Sequence, residues 1–146
     1  MARPALELDP DEELRAYANV SFRGALAASA RSTIALGSAR MRQNIYAAWA
    51  HDAVDAGFPA AGPEMVLALT NRRIHVCRVS FWANRAAEVE GTLELDRIHA
   101  VATERHGLVV GLAFVFTNGH VIEVEAMRGG RVLRFARAVQ NEIARR

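Results

Sequence analysis

Leu67-Ala68-Leu69-Thr70-Asn71-Arg72-Arg73-Ile74-His75-Val76 is the stretch that decides the fold. Apolar residues alternate with other residues on both sides of Asn71-Arg72, a pattern typical of two half-buried strands joined by a tight turn. A two-residue turn places Leu67 opposite Val76 and Leu69 opposite Ile74, so the apolar side chains of both strands share one face. The stretch therefore predicts a β-hairpin with one face turned towards a core.

A second hairpin is predicted around Thr117-Asn118-Gly119. A two-residue Asn-Gly loop would pair Phe114 with Glu123 and would mix core and solvent residues on one face. A three-residue loop, with Gly119 in the left-handed conformation, instead pairs Phe114 with Ile122 and turns Glu123 outwards. The hydrophobic register therefore predicts the three-residue loop.

Period-two alternation also predicts a strand from Glu13 to Arg23. The rival structure is a helix, because Asp9-Pro10-Asp11-Glu12 resembles an N-cap with proline at the first helical position. The length of the alternation favours the strand. Two shorter strands are predicted at 92–95 and 98–104, and the four strands of the two hairpins bring the total to seven.

Two helices complete the pattern. Residues 39–56 carry a largely apolar stripe at helical spacing and are followed by Gly57 and Pro59, which end helices. A C-terminal amphipathic helix is predicted at 131–145, and it carries an apolar stripe of Val132, Phe135, Ala136, Val139 and Ile143. Residues 24–37 have no clean period and predict a loop.

These elements, in this order, resemble those of the GRAM and bacterial pleckstrin-homology-like domains. The resemblance covers residues 13 to about 145 and rests on three motifs, at Leu67–Ile74, Gly91–Ile98 and Phe114–Gly119. It implies a mostly β (α+β) fold, a half-open barrel of two nearly orthogonal antiparallel sheets with seven strands. The C-terminal helix plugs the barrel, and the other helix is inserted between the first and second strands. Domains of this kind bind lipids, peptides or one another and are not known for catalysis.

We accordingly expect a single domain over residues 12–146, with a flexible N terminus at 1–11. Residues 24–63 form an insertion that contains the helix at about 39–56. A length of 146 residues with 51% hydrophobic residues fits one globular domain with one sizeable core.

The net charge and the cysteine content exclude some classes of function. All 18 basic residues are arginine, and 16 acidic residues leave a formal net charge of only +2, which gives no argument for nucleic acid. Cys77 is the only cysteine, so an internal disulfide and a multi-cysteine metal site are excluded. The acidic start does not resemble a secretory signal, and no stretch reaches the ~20 apolar residues that span a bilayer. We expect a cytoplasmic location, with a membrane-peripheral one as the alternative.

Motifs for catalysis or metal binding are weak. His51 and Asp55 have the i, i+4 spacing of two ligands on a helix, but no third ligand accompanies them, and a surface pair is the favoured interpretation. Gly129-Gly130, beside Arg128 and Arg131, could meet an anion at the start of the C-terminal helix, although a plain strand-to-helix turn is favoured. We predict no catalytic residue, no metal and no cofactor.

A functional surface is predicted where Phe81, Trp82 and Arg85 join the third and fourth strands. In an up-and-down order this connection emerges at the same end as the insertion, which would add Arg31, Arg40 and Arg42. Aromatic residues beside arginine are typical of protein interfaces and of membrane interfaces. The alternative is that Phe81 and Trp82 cover the barrel end against the inserted helix.

These observations predict a non-enzymatic binding or assembly module that acts through protein contacts, including self-association. The alternative is a peripheral membrane adaptor that binds anionic lipid. In either case the candidate binding residues are Arg40, Arg42, Phe81, Trp82 and Arg85.

Overall fold

Seven strands and two α-helices make up the part of the chain that the computed structural model describes, residues 6–25, 38–80, 85–128 and 131–146. In chain order they are β1 (Leu14–Phe22), α1 (Ser38–Ala56), β2 (Glu64–Thr70), β3 (Arg73–Ser80), β4 (Arg85–Glu94), β5 (Ile98–His106), β6 (Val109–Phe116), β7 (Val121–Met127) and α2 (Val132–Ala144). A single 3₁₀ turn, Leu95–Arg97, joins β4 to β5.

The strands form one antiparallel sheet in the order β4-β3-β2-β1-β7-β6-β5. β1 pairs with β2 along most of its length and then, through Ser21 and Phe22, with β7. β4 and β5 are the two edges and do not pair with each other, so the barrel is open on that side. The expected fold class is confirmed: the chain is mostly β, with seven antiparallel strands and a C-terminal helix, as in a pleckstrin-homology-like domain.

The predicted registers of both hairpins are confirmed. Leu67 pairs with Val76, and Leu69 pairs with Ile74. Phe114 pairs with Ile122. The Phe116 amide donates to the His120 carbonyl at 2.9 Å, which leaves the three-residue loop 117–119, and Gly119 has a φ of 90°.

The fourth strand is longer than the predicted 92–95, because β4 begins at Arg85. Its register against β3 shifts between Val76 and Cys77 and again between Arg78 and Val79. Each shift is a bulge that adds one residue to β4 and breaks the period-two pattern. The sequence pattern therefore shows only the end of the strand beyond the bulges.

The C-terminal helix α2 closes the barrel as predicted. Val132, Phe135, Ala136 and Val139 are buried in the main core. The Gln140 side-chain amide also donates to the carbonyl of Val101 on the edge strand β5, at 2.7 Å. The helix is therefore held both by apolar packing and by a hydrogen bond to the sheet.

The inserted helix α1 packs into the same core from another side. Trp49, Ala53 and Ala56 are buried, and so is Phe58 just after the helix. The indole N–H of Trp49 donates to the Glu123 carbonyl at 2.8 Å. The described second part of the predicted insertion is thus an integral part of the core, whereas residues 26–37 lie outside the described residues.

Gly91 marks where the insertion crosses β4. A Cβ atom added at Gly91 would lie 2.7 Å from both Cβ and Cγ of Pro59, whose ring cannot move aside. We predict that Gly91→Ala destabilises the domain by about 1–3 kcal/mol, as overpacked cores do. Urea unfolding measures the change.

Gly111→Ala is the matched control, because its new Cβ would meet nothing closer than the Glu104 carbonyl oxygen at 3.7 Å. We expect its free energy of unfolding to stay close to wild type. Equal losses in the two variants would show that glycine itself, and not the contact with Pro59, is required.

Candidate binding surfaces

The β1–β2 and β3–β4 connections leave the sheet at the same end, as an up-and-down strand order requires. Ser21 pairs with Glu64 and Ser80 pairs with Arg85, so the β1–β2 and β3–β4 connections emerge together. Phe81 and Trp82 lie outside the described residues, as does Arg31, and only the backbone of Arg85 is described.

The arginines of the inserted helix differ in their surroundings. Arg40 is exposed, whereas Arg42 is half-buried, and its Nε has no hydrogen-bond partner in the described part of the chain. One turn later, burial raises the pKa of Tyr46, the Gly62 backbone hydrogen bond lowers it, and the nearby Glu90 carboxylate raises it. The net result is a Tyr46 pKa above its usual value.

A buried polar cluster lies on the outer face of the sheet, where the sequence analysis placed no site. The Thr70 hydroxyl donates to Glu12 Oε2 at 2.7 Å, and His75 Nε2 lies 2.9 Å from the same oxygen. Only 2% of the Glu12 side chain is exposed. Burial raises the pKa of Glu12, but the hydrogen bonds from Thr70, His75 and the Asp9 backbone outweigh it, and the pKa lies below its usual value.

The turn between β2 and β3 also binds the segment that precedes β1. Asn71 Oδ1 accepts from the Glu13 amide at 2.7 Å, and Asn71 Nδ2 donates to the Asp11 carbonyl at 3.0 Å. The Arg72 guanidinium forms ion pairs with Asp9 and Asp11. The described part of the predicted flexible N terminus, Leu6 to Asp11, is therefore in contact with the sheet rather than detached from it.

The Glu12–Thr70–His75 geometry does not suit nucleophilic catalysis. In a catalytic triad the hydroxyl bonds to the imidazole, which takes its proton. Here the Thr70 hydroxyl donates to the carboxylate instead. His75 Nδ1 is buried and has no hydrogen-bond partner among the described residues. The cluster therefore fastens the N-terminal segment to the hairpin.

Cys77 and the predicted His51–Asp55 pair show no reactive or metal-binding geometry. Burial raises the pKa of the Cys77 thiol to about 11, so the thiolate is scarce at neutral pH. His51 Nδ1 lies 3.3 Å from Asp55 Oδ2, and both side chains are exposed. Within the described ranges, no three His, Cys, Asp or Glu side chains are grouped as metal ligands would be.

A groove of about 400 Å³ crosses the outer face of β5, β6 and β7. Gly111 and Ala113 are among its lining residues, and Gly111 pairs with Glu104 on one side and Glu125 on the other. Glu123 lies beside Ala113 and forms a 2.7 Å ion pair with Arg23. We call this feature, bordered by Glu104, Glu123 and Glu125, the acidic groove.

A second cavity, of about 310 Å³, opens between the start of β1 and the start of α2. It is lined by Arg15 and Tyr17 of β1 and by Arg131 and Arg134 of the α2 region. The guanidinium carbon of Arg131 lies 4.4 Å from the centroid of the Tyr17 ring. We call this cavity the arginine pocket. An anion near Arg131 is one alternative that the sequence offers, whereas nothing in its spacing brings Arg15 and Tyr17 there.

The described helices include none that is both long enough and apolar enough to cross a membrane. A scan against protein-family models and a search of curated proteins find no match to this chain. Among solved structures, the chain is similar to a protein described as the Vps36 N-terminal PH domain, at 18% sequence identity and a TM-score of 0.44. The similarity covers 58% of this chain and 65% of that chain. The fold assignment therefore rests on this chain's own strand order and register.

We predict that Glu12→Gln destabilises the domain at pH 7 by roughly 1–3 kcal/mol, because buried groups lose a charged hydrogen-bond partner. Since the Glu12 pKa is lower in the folded chain than its usual value of 4.5, the stabilisation is complete above that pH. It is lost as the pH falls through the folded pKa. Urea unfolding measured from pH 7 to pH 3 should show the free energies of unfolding of wild type and Glu12→Gln converging as the pH falls.

Glu13→Gln is the control, because the neighbouring Glu13 side chain is 72% exposed. We expect it to leave the free energy of unfolding nearly unchanged at every pH. A gap between wild type and Glu12→Gln that stays constant down to pH 3 would contradict the role of the Glu12 charge.

Proposed function

We propose that this chain is a non-enzymatic binding module that acts through protein contacts and associates with further copies of itself. The acidic groove is the observation that supports this proposal. Exposed Val121 and Met127 lie on β7, the strand that carries Glu123 and Glu125, and each has 52% of its surface accessible. A shallow surface that combines apolar and charged groups is typical of a protein-binding site.

The charges of the groove favour a basic partner. Two grooves placed face to face would oppose Glu104, Glu123 and Glu125 with identical residues, which disfavours a symmetric contact. The exposed face of α2 carries Arg134 and Arg137, and neither has an ion pair within the described residues. We therefore propose a head-to-tail contact in which α2 of one copy docks in the groove of the next.

Catalysis is not part of the proposal. The His75–Glu12 pair is the one buried imidazole–carboxylate contact in the described residues. The acidic groove and the arginine pocket are lined by other residues. The pair already has a role in fastening the N-terminal segment.

The end that carries Arg40, Arg42, Phe81, Trp82 and Arg85 is a second proposed binding surface. The half-buried Arg42, whose Nε lacks a partner in the described residues, supports an anionic or polar ligand there. Binding of anionic lipid through this end would make the chain a peripheral membrane adaptor. We propose a cytoplasmic location, which suits either partner.

Analytical ultracentrifugation tests the self-association. We expect Glu104→Arg and Arg137→Glu each to weaken it roughly tenfold or more, because each reverses one charge of the contact. An equimolar mixture of the two variants should recover a dimer, since each chain keeps the surface that the other has lost. A wild-type chain that stays monomeric at every concentration refutes self-association, and a mixture that fails to recover refutes the head-to-tail arrangement.

Vesicle co-sedimentation tests the membrane alternative. Each arginine near an anionic leaflet contributes on the order of 1 kcal/mol, so lipid binding through this end must weaken with salt. We expect only weak binding to phosphatidylserine-containing vesicles, close to that for phosphatidylcholine alone. Strong, salt-sensitive binding that is lost in a folded Arg40→Gln, Arg42→Gln, Arg85→Gln triple variant would establish the membrane adaptor instead.

A further inference from the structure

We infer that the arginine pocket binds a phosphate monoester, and that this ligand is a small soluble molecule. The inference goes beyond the proposed protein contacts: Arg134 belongs both to the exposed face of α2 and to this pocket, but neither Glu104 nor Arg137, the two residues that test self-association, lines it. The pocket also lies at the start of β1, whereas Arg40, Arg42 and Arg85 lie towards the connection that leaves its other end.

One wall of the pocket is fixed by a bulge in β1. Leu14 pairs with Thr70 and Ala16 pairs with Leu69, so Arg15 is the extra residue of the bulge. Bulges re-aim side chains and occur often beside functional sites. The Arg15 guanidinium is held by Glu142 at 3.5 Å and by Glu13 at 3.3 Å. Arg15 is thus positioned, and its charge is already balanced.

The opposite wall carries Arg131 and Arg134, which form no ion pair with any residue that the structure describes. The guanidinium carbon of Arg131 lies over the Tyr17 ring, 4.4 Å from the ring centroid, which is a cation–π contact. A guanidinium carries five N–H donors, more than a contact with one ring can use, so donors remain for an anion. Arg134 follows one turn later and lines the same pocket. No carboxylate is found among the described lining residues.

These two walls together specify the ligand chemistry. Two unbalanced guanidinium groups three residues apart repel each other, and a bound dianion removes that repulsion. A phosphate monoester carries close to two negative charges at neutral pH and three acceptor oxygens, whereas a carboxylate carries one charge and is satisfied by one guanidinium. The volume of about 310 Å³ fits a small ligand.

Titration of the amide NMR spectrum with sodium phosphate and with glycerol 3-phosphate tests the inference, against sodium chloride at equal ionic strength. We expect saturable shifts at Arg15, Tyr17 and Phe135. An Arg131→Gln, Arg134→Gln double variant should weaken binding roughly tenfold or more, the loss expected for charged hydrogen bonds. Arg131→Lys keeps the positive charge but loses the planar guanidinium with its paired N–H donors. It should weaken binding less than the double variant does.

Arg97→Gln is the matched control, because Arg97 is exposed and lies outside the pocket. It should bind both phosphates as wild type does. An equal loss in Arg97→Gln, or shifts spread over all surface arginines, would show that the anions screen charge without a site. Preserved thermal unfolding in each variant excludes misfolding as the cause.

Vesicles of phosphatidylcholine with phosphatidic acid distinguish the two sources of a phosphate monoester. We expect the chain to bind glycerol 3-phosphate and not these vesicles. Vesicle binding that the Arg131→Gln, Arg134→Gln variant loses, without saturable binding of glycerol 3-phosphate, would assign the pocket to a lipid headgroup and overturn the soluble ligand.

Discussion

Two residue pairs, Ser21 with Glu125 and Phe22 with Val124, join the two halves of the sheet. Phe22 is fully buried there, and its ring centroid lies 5.4 Å from that of Tyr46 on the inserted helix. Just beyond β1, the Gly24 amide donates to the Glu125 side chain at 2.8 Å. β1, β7 and α1 all meet at this short junction. The docking of α1 and the border of the acidic groove at Glu125 therefore both depend on it.

The first half of the sheet is covered on both faces, which explains an unusual strand. Residues 65–70 of β2 are all buried, although a strand with one solvent face would alternate. Met65, Leu67 and Leu69 face the main core, whereas Val66 packs with Cys77 and Leu6 on the other side. The Glu12 carboxylate is buried on this second face. It needs its hydrogen bonds there, since a buried charge without a partner is costly. The N-terminal segment is thus bound to the sheet by both apolar and polar contacts.

The sequence was informative wherever apolar residues followed a regular period. Leu67 and Phe114 were placed in their correct pairs because a one-residue slip would turn either side chain to solvent. The start of β4 could not be predicted, because its bulges interrupt the period. The contacts of Glu12 with Thr70 and His75 were missed because those residues read as ordinary turn and strand positions. The unbroken apolar run from Met65 to Leu69 was the available signal, since such runs are typical of strands buried on both faces.

The surfaces were harder to predict than the fold. The common end of the β1–β2 and β3–β4 connections followed from an up-and-down strand order alone, whereas the grouping of Arg42 with Arg85 at that end stays a prediction. The arginine pocket joins Arg15 to Arg131 from opposite ends of the chain, so no spacing in the sequence could show it. The sequence around Arg15 hints at the pocket only through the extra residue that Arg15 adds to β1. One irregular position is weak evidence for a site unless the strand register that defines it is known.

The hydrogen bond from Gln140 to the Val101 carbonyl has a consequence for aggregation. An exposed edge strand offers free backbone groups to any passing chain and can seed sheet-to-sheet growth. On β5 one of those groups is already occupied by the helix, and on β4 the two bulges disturb the regular ladder that another strand would need. Both edge strands are therefore poor templates for the addition of another strand. The proposed contact between copies uses side-chain surfaces and not these edges, so strand addition, the first step towards a fibril, stays disfavoured even at high concentration.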